Sequence, residues 1–198
     1  MDGRKIPEQL ENPIDNFFIE IATILNPYFY TLGFNPNGIT TLSLIFGLLT
    51  CGFYRYNYYI LASILLIVSY FFDIMDGNFA RKYDMQSKFG DYYDHIKDIT
   101  VLFILSILII TNNKIPLYFK LLGLFIGLLF LICTVVHLGC IEKYVMKKKK
   151  DSNIQSSQCL LIFSELSKLK NIKILRHFAC GTANIYLSLF ILLHILYV

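Results

Sequence analysis

Long apolar runs separated by short polar turns dominate the chain after its first 35 residues. The clear runs cover residues 39–54, 58–75, 90–110, 117–139 and 178–198. Most of them approach the ~20 residues that a helix needs to cross the hydrocarbon core of a bilayer. The pattern therefore predicts five membrane-spanning helices joined by short connections.

The segment 147–177 is harder to interpret. Its apolar stretch, Cys159–Phe163, is too short to span a membrane. Basic residues follow that stretch at Lys168, Lys170, Lys173 and Arg176. The segment is either an interfacial helix or a degenerate span. We therefore predict an all-α fold, a polytopic membrane helical bundle of five to six transmembrane helices.

The beginning of the chain has a different pattern, in which apolar residues recur at helical spacing between polar ones. The apolar positions are Ile14, Phe17, Phe18, Ile21 and Leu25. Such a pattern is typical of an amphipathic helix in the membrane interface. Pro27 and the glycines at 33 and 38 are expected to break the helix. We divide the chain into an N-terminal interfacial segment, 1–35, and a transmembrane domain, 36–198.

Composition supports a membrane protein. Hydrophobic residues make up 56% of the chain and charged residues only 16%, whereas an average soluble domain is about 25% charged. This excludes a disordered chain, which needs low hydrophobicity. It also disfavours a water-soluble globule, because too little polar surface remains to cover one.

The basic residues predict the orientation of the bundle. Clusters at 4–5, 81–88 and 147–150 fall on one side of the membrane, and only Arg55 and Lys114 lie in the loops of the other. The positive-inside rule places the side with more basic residues in the cytosol. The lysine run 147–150 is either a topology determinant or an attractor of anionic lipid. We expect no nucleic-acid partner.

Six of the 14 acidic residues fall between Asp73 and Asp98, where two predicted spans meet. Asp73 and Asp76 are three residues apart, and Asp94 and Asp98 are four apart, so each pair lies on one helix face. Antiparallel neighbouring helices would bring the four carboxylates together. Mg²⁺ or Mn²⁺ would relieve their repulsion, because these ions prefer carboxylate oxygen and often also hold substrate phosphates.

The acids belong to a longer pattern: Asp73-x-x-Asp76-Gly77-x-x-Ala80-Arg81, eight residues, Gly90, three residues, Asp94, three residues, Asp98. This pattern resembles the signature of the CDP-alcohol phosphotransferases at every fixed position. The stretch Pro36-Asn37-Gly38-Ile39-Thr40 is similar to the family's entrance to its first span, and Ser87 stands where the family often has Ser or Thr. Residues 36–146 follow the family's layout.

The resemblance implies an enzyme that displaces CMP from a CDP-linked group with an alcohol. Asp73, Asp76 and Asp94 would hold two divalent ions, Mg²⁺ or Mn²⁺, with Asp98 near or on the second ion. Asp98 would also be the general base on the acceptor hydroxyl. The residues implied to line the cytidine diphosphate site are Asn37, Thr40, Gly77, Ala80, Arg81, Ser87 and Gly90.

The resemblance leaves two substrate pairs open. Chains of this length usually use CDP-diacylglycerol with a small alcohol acceptor, which is the reading we favour. The alternative is CDP-choline or CDP-ethanolamine with diacylglycerol, to which the Asp94-His95 pair is similar. Lys143, Lys168, Lys170 and Arg176 are candidates to bind a phosphate on the acceptor.

The resemblance also implies a homodimer in a lipid membrane, and the positive-inside rule places its active site on the cytosolic side. It does not separate the endoplasmic reticulum from a bacterial inner membrane. A second hypothesis, from a different class, is a non-catalytic membrane protein such as a transporter or a metal-binding protein.

Overall fold

The computed structural model describes residues 3–148 and 172–197, and every regular element in these ranges is helical. The six long helices are α1 (Pro13–Thr31), α2 (Pro36–Arg55), α3 (Tyr59–Lys82), α4 (Lys88–Thr111), α5 (Leu117–Lys148) and α6 (Cys180–Leu193). Short helical turns cover Glu8–Leu10, Ile172–Leu175, Arg176–Phe178 and His194–Tyr197. The predicted all-α membrane bundle is confirmed.

Within the described residues, four helical stretches are long and apolar enough to cross a membrane: Pro36–Arg55, Tyr59–Lys82, Leu117–Ile141 and Lys173–Tyr197. The remaining predicted span is α4, which equals α3 in length at 24 residues. It differs because Asp94, Lys97 and Asp98 add charge to its first half. The interfacial or degenerate span predicted around Cys159–Phe163 lies outside the described residues.

Helices α2 and α3 pack closely along their length through a pair of buried serines. Ser43 Oγ donates to the Ser69 carbonyl, and Ser69 Oγ donates to the Ser43 carbonyl, each at 2.8 Å. Small residues of this kind let membrane helices approach closely while satisfying their own hydroxyls. The tight connection between the helices turns at Asn57, whose φ is 65°.

Helix α4 also packs against α2, where Gly47 permits the contact. A Cβ atom at position 47 would lie 2.7 Å from Val101 Cγ2. Val101 and Leu105 join Cys51 in the buried apolar cluster of the bundle. This contact fixes the first turns of α4 beside the acidic end of α3.

Helix α1 runs without a break through Pro27, so the expected end of the helix at this proline is wrong. A proline has no N–H to donate to the carbonyl four residues earlier, which here belongs to Thr23. Lys82 Nζ donates to that carbonyl at 3.2 Å. A side chain from α3 therefore replaces the missing donor, and the chain leaves the helix at Gly33, whose φ is +79°.

Several polar residues of α1 face the bundle. Tyr70 donates to Asp15 Oδ1 at 2.7 Å, and Asn26 Nδ2 donates to Asn78 Oδ1 at 2.7 Å. Phe17 on the same helix is exposed. Helix α1 is thus fixed to α3 by hydrogen bonds.

Helix α6 closes the bundle against α3 and α5. Ser63 and Ser188 exchange hydrogen bonds between hydroxyl and carbonyl at 2.9 and 3.0 Å. On the α5 side, Tyr186 donates to the Gly123 carbonyl at 3.0 Å. The core therefore lies around α3, which contacts α1, α2 and α6.

Candidate metal centre and active site

Helices α3 and α4 bring three carboxylates together at one end of the bundle. Asp73 and Asp76 lie on the last turns of α3, and Asp94 lies on the second turn of α4. One oxygen from each of the three residues lies within 4.8 Å of the others. These oxygens are close enough to share one cation.

The chemistry of the three carboxylates fits a hard divalent ion. Thr40 of α2 donates from Oγ1 to Asp76 Oδ2 at 2.5 Å, which orients that carboxylate. Asp94 Oδ1 is buried, and Lys97 Nζ lies 3.1 Å from it. The same ammonium is shared with Asp73 and Asp98, so negative charge remains that a divalent ion would neutralise. An all-oxygen donor set of this kind suits Mg²⁺ or Mn²⁺.

Lys97 lies inside the acidic cluster, and sequence analysis did not identify it. Its side chain is only 2% exposed, and its ammonium is paired with Asp73. The same Nζ lies 2.8 Å from Asp98 Oδ1 and 3.1 Å from Asp94 Oδ1. Lys97 follows Asp94 by three residues, so helical spacing alone could have placed it on the acidic face of α4.

Asp98 is not one of the three close carboxylates, and its contact with the cluster is the ion pair with Lys97. Its side chain is 50% exposed, whereas those of Asp94 and Asp73 are 29% and 22% exposed. Asp98 is therefore the most accessible of these three acids. A group at that position can meet a solvent-borne reactant.

Three of the residues predicted for the cytidine diphosphate site gather where α2 approaches the start of α4. Ser87 caps α4, since its Oγ accepts from the Gly90 N–H at 3.0 Å. A Cβ atom at Gly90 would lie 3.0 Å from Asn37 Oδ1 and 3.1 Å from Ser87 Oγ. Gly90 thus permits the approach of Asn37 to α4.

Of the other four predicted residues of that site, Gly77, Ala80 and Arg81 lie on α3 just after Asp76, and Thr40 is the donor to Asp76. The Arg81 guanidinium covers Gly77, where a Cβ atom would lie 3.2 Å from Nη1. Arg81 Nε donates to the Gly3 carbonyl at 2.7 Å. The N-terminal segment therefore contacts the predicted phosphate-binding arginine, which sequence analysis did not foresee.

Of the residues considered for a phosphorylated acceptor, Lys143 and Arg176 lie within the described residues. Arg176 Nη1 donates to backbone carbonyls of the N-terminal segment, with 2.8 Å to Gln9. Lys168 and Lys170 lie outside the described residues.

His95, which belongs to the Asp94-His95 pair, is 60% exposed at its side chain, with Nδ1 3.9 Å from Asp94 Oδ2.

The sequence model of the CDP-alcohol phosphatidyltransferase family matches residues 34–194. That match covers helices α2 to α6 and every residue of the acidic cluster. The chain belongs to the CDP-alcohol phosphatidyltransferase family. The resemblance carried by the aspartate pattern is therefore confirmed.

One curated relative is the archaetidylinositol phosphate synthase of Pyrococcus horikoshii. It is 30% identical to this chain over 103 residues, which are 50% of each protein. The matched part thus spans about half the length of that relative.

Proposed function

We propose that this member of the family transfers a phosphatidyl group from a CDP-linked donor to an alcohol and releases CMP. The observation that carries the proposal is the convergence of Asp73, Asp76 and Asp94 from two helices, within a chain whose family is known. Phosphoryl transfer depends mainly on positioning and on electrostatic stabilisation. A rigid cluster of carboxylates that can hold a metal provides both.

Asp73, Asp76 and Asp94 would coordinate Mg²⁺ or Mn²⁺, and the family resemblance implies two such ions. When bound, the metal polarises the diphosphate and compensates charge on the departing CMP. Thr40 holds the Asp76 carboxylate in its orientation through the 2.5 Å hydrogen bond. Oriented ligands of this kind raise metal affinity.

Asp98 is the proposed general base, because it is the most exposed acid of those around Lys97. The acceptor oxygen forms a bond to phosphorus, and the phosphorus–oxygen bond to CMP breaks. The hydroxyl proton passes to the Asp98 carboxylate, and the bonding electron pair leaves with CMP. Asn37, Arg81, Ser87 and the glycines at 77 and 90 would hold the cytidine diphosphate portion.

We favour CDP-diacylglycerol as donor and a small alcohol as acceptor. The relative's name denotes the synthesis of an inositol phosphate lipid, which supports a lipid-linked donor. The alternative, an aminoalcohol phosphotransferase, depends on the Asp94-His95 pair. In the structure, His95 Nδ1 is 3.9 Å from Asp94 Oδ2 at the edge of the acidic cluster.

The proposal includes the placement of the protein in the membrane. Helix α4 would be the fifth span, with its charged first half in contact with α2 and α3 and its apolar second half in lipid. Residues 1–35 would lie in the interface, supported by the exposed Phe17, Ile24 and Tyr28. The active site would face the cytosol, and the chain would form a homodimer.

The test is a substrate panel with purified full-length protein and Mg²⁺ or Mn²⁺. CDP-diacylglycerol, CDP-choline and CDP-ethanolamine are each combined with several alcohols, and product lipids are identified by mass. We expect CMP release with CDP-diacylglycerol. Product formation only from CDP-choline or CDP-ethanolamine would establish the alternative, and no CMP from any donor would contradict the enzyme.

Asp98→Asn and Asp91→Asn make a matched pair for the same assay. Asp91 is an exposed acid of the first turn of α4, one turn from Asp94 but outside the cluster. Asp98→Asn should abolish CMP release while Asp91→Asn should retain it. Circular dichroism would show that both variants keep their helices.

A further inference from the structure

The ammonium of Lys97 lies among the carboxylates that the family resemblance assigns to a second metal ion. Its ion-pair partners are Asp73, Asp94 and Asp98. Asp76 is not among its ion pairs and instead accepts from Thr40. The acidic cluster thus has two overlapping sets of oxygens, one around Asp76 and one around Lys97 Nζ.

The position of Lys97 is fixed from three helices. Its side chain is 2% exposed, so the ammonium has exchanged water for protein partners. Besides the acids of α3 and α4, Nζ lies 3.3 Å from Ser43 Oγ of α2. That hydroxyl already donates to the Ser69 carbonyl, so it accepts from the lysine. A buried charge with this many partners is an integral part of the site.

We propose that the Lys97 ammonium takes the position of the second divalent ion in this chain. This inference rests on the proposed function. One divalent ion binds strongly at Asp73, Asp76 and Asp94, and a second enters only by displacing the ammonium. Lys97 is a positioning residue, because it acts through the carboxylates around it.

Charge balance gives the physical reason. Two divalent ions would neutralise four ionised carboxylates, but with the ammonium retained they would leave a net positive site. One divalent ion with the ammonium leaves a single uncompensated negative charge. A second divalent ion must therefore overcome repulsion from Lys97, or break its contacts with Asp73, Asp94 and Asp98.

The test counts Mn²⁺ ions bound by the purified full-length protein in detergent, without substrate. Free Mn²⁺ is measured from its electron paramagnetic resonance signal during titration. We expect one strong site per wild-type chain and two in Lys97→Met, with the second ion bound at least tenfold more tightly than in wild type. Lys88→Met is the matched control, since Lys88 is an exposed cation of α4 outside the cluster.

Two further variants keep the proposal testable if Lys97→Met does not fold. Lys97→Gln also removes the charge and should bind two ions, whereas Lys97→Arg keeps the charge and should bind one strongly. Equal affinities for two ions in wild type, or unchanged binding after loss of the Lys97 charge, would overturn this inference alone. No Mn²⁺ binding by the wild-type protein would overturn the proposed function as well.

Discussion

Two buried polar clusters in this bundle differ in how completely their negative charge is compensated. The first is the acidic cluster of Asp73, Asp76, Asp94, Lys97 and Asp98. The second, which we call the N-terminal clasp, consists of Asn12, Asp15, Tyr70, Gly181 and Thr182. The clasp joins helices that are distant in sequence, whereas the acidic cluster lies mainly on the consecutive helices α3 and α4. Only the acidic cluster holds several carboxylates around a single cation, Lys97.

The clasp is built from hydrogen bonds that satisfy its members. Asn12 Nδ2 donates to Thr182 Oγ1 at 2.9 Å, and Asn12 Oδ1 accepts from the Ile14 N–H at 2.9 Å. Asp15 accepts a hydrogen bond from the Tyr70 hydroxyl. The Asp15 carboxylate also packs against Gly181, where an added Cβ atom would lie only 2.3 Å from Asp15 Oδ1. Such an arrangement holds α1 to α3 and α6.

Electrostatics separate the two clusters further. Burial raises the pKa of Asp15 to about 7, although the hydrogen bond from Tyr70 opposes that change. The single carboxyl of the clasp can therefore lose its negative charge by protonation near neutral pH. The acidic cluster contains four carboxylates and one lysine, so a metal is the natural complement. The difference teaches that an uncompensated excess of negative charge, rather than burial of charge, marks the functional site.

The largest expected effect compares one aspartate from each cluster. Asp76→Asn removes a metal ligand whose electrostatic contribution is several kcal/mol, so CMP release should fall by about 10³-fold or more. Asp15→Asn keeps a hydrogen-bond acceptor for Tyr70 and should leave CMP release near the wild-type value. Initial rates at saturating Mn²⁺ would measure both. Equal losses in the two variants would remove the distinction between the clusters.

A smaller effect is expected at Thr40, which orients Asp76. Thr40→Val removes the 2.5 Å hydrogen bond to Asp76, so the Mn²⁺ concentration for half-maximal activity should rise by about 10–100-fold. Thr41→Val is the control, because the Thr41 hydroxyl is exposed and bonds Tyr93 instead. If both valine variants require the same Mn²⁺ concentration as wild type, Thr40 does not orient a metal ligand.

A packing change should reach the acidic cluster indirectly. Gly47→Ala places a methyl group 2.7 Å from Val101 Cγ2, which forces α4 away from α2. We expect a loss of about 1–3 kcal/mol in the free energy of unfolding, with reduced CMP release. Gly52→Ala on the same helix meets no atom within 4 Å and should not lower the free energy of unfolding. Thermal melts followed by circular dichroism would compare the two variants.

The smallest effect concerns the pH dependence of stability. Because the pKa of Asp15 is raised in the folded state from 3.8 to about 7, its favourable contribution is complete below pH 3.8. That contribution is lost as pH rises through about 7. Asp15→Asn should therefore flatten the fall in melting temperature between pH 5 and 8. Some slope should remain, since burial also raises the pKa of Glu11. An unchanged slope would contradict this assignment.

Sequence patterns predicted the helices well, because membrane spans follow from runs of apolar residues. They were weaker where distant parts of the chain meet. The second span was expected to end near Met75, but α3 continues to Lys82. Along this added length, Lys82 donates a hydrogen bond to the Thr23 carbonyl and Arg81 donates one to the Gly3 carbonyl. No local pattern reveals such partners.

The sequence pattern specifies the aspartates of the candidate site but not Lys97. Asp73, Asp76 and Asp94 stand at fixed spacings in a known pattern, and helical periodicity places them on facing surfaces. Lys97 lies at a position that the pattern leaves open. Only the packing of α4 against α2 and α3 shows that its ammonium reaches three carboxylates and Ser43.

The central claim is that the acidic cluster makes this protein a metal-dependent transferase. Its most direct test measures CMP release from CDP-diacylglycerol by purified protein treated with a chelator and then supplied with Mn²⁺. We predict that release stops with the chelator and returns when Mn²⁺ is added, and that Asp76→Asn is not restored. Release that continues unchanged in the chelator would contradict the account.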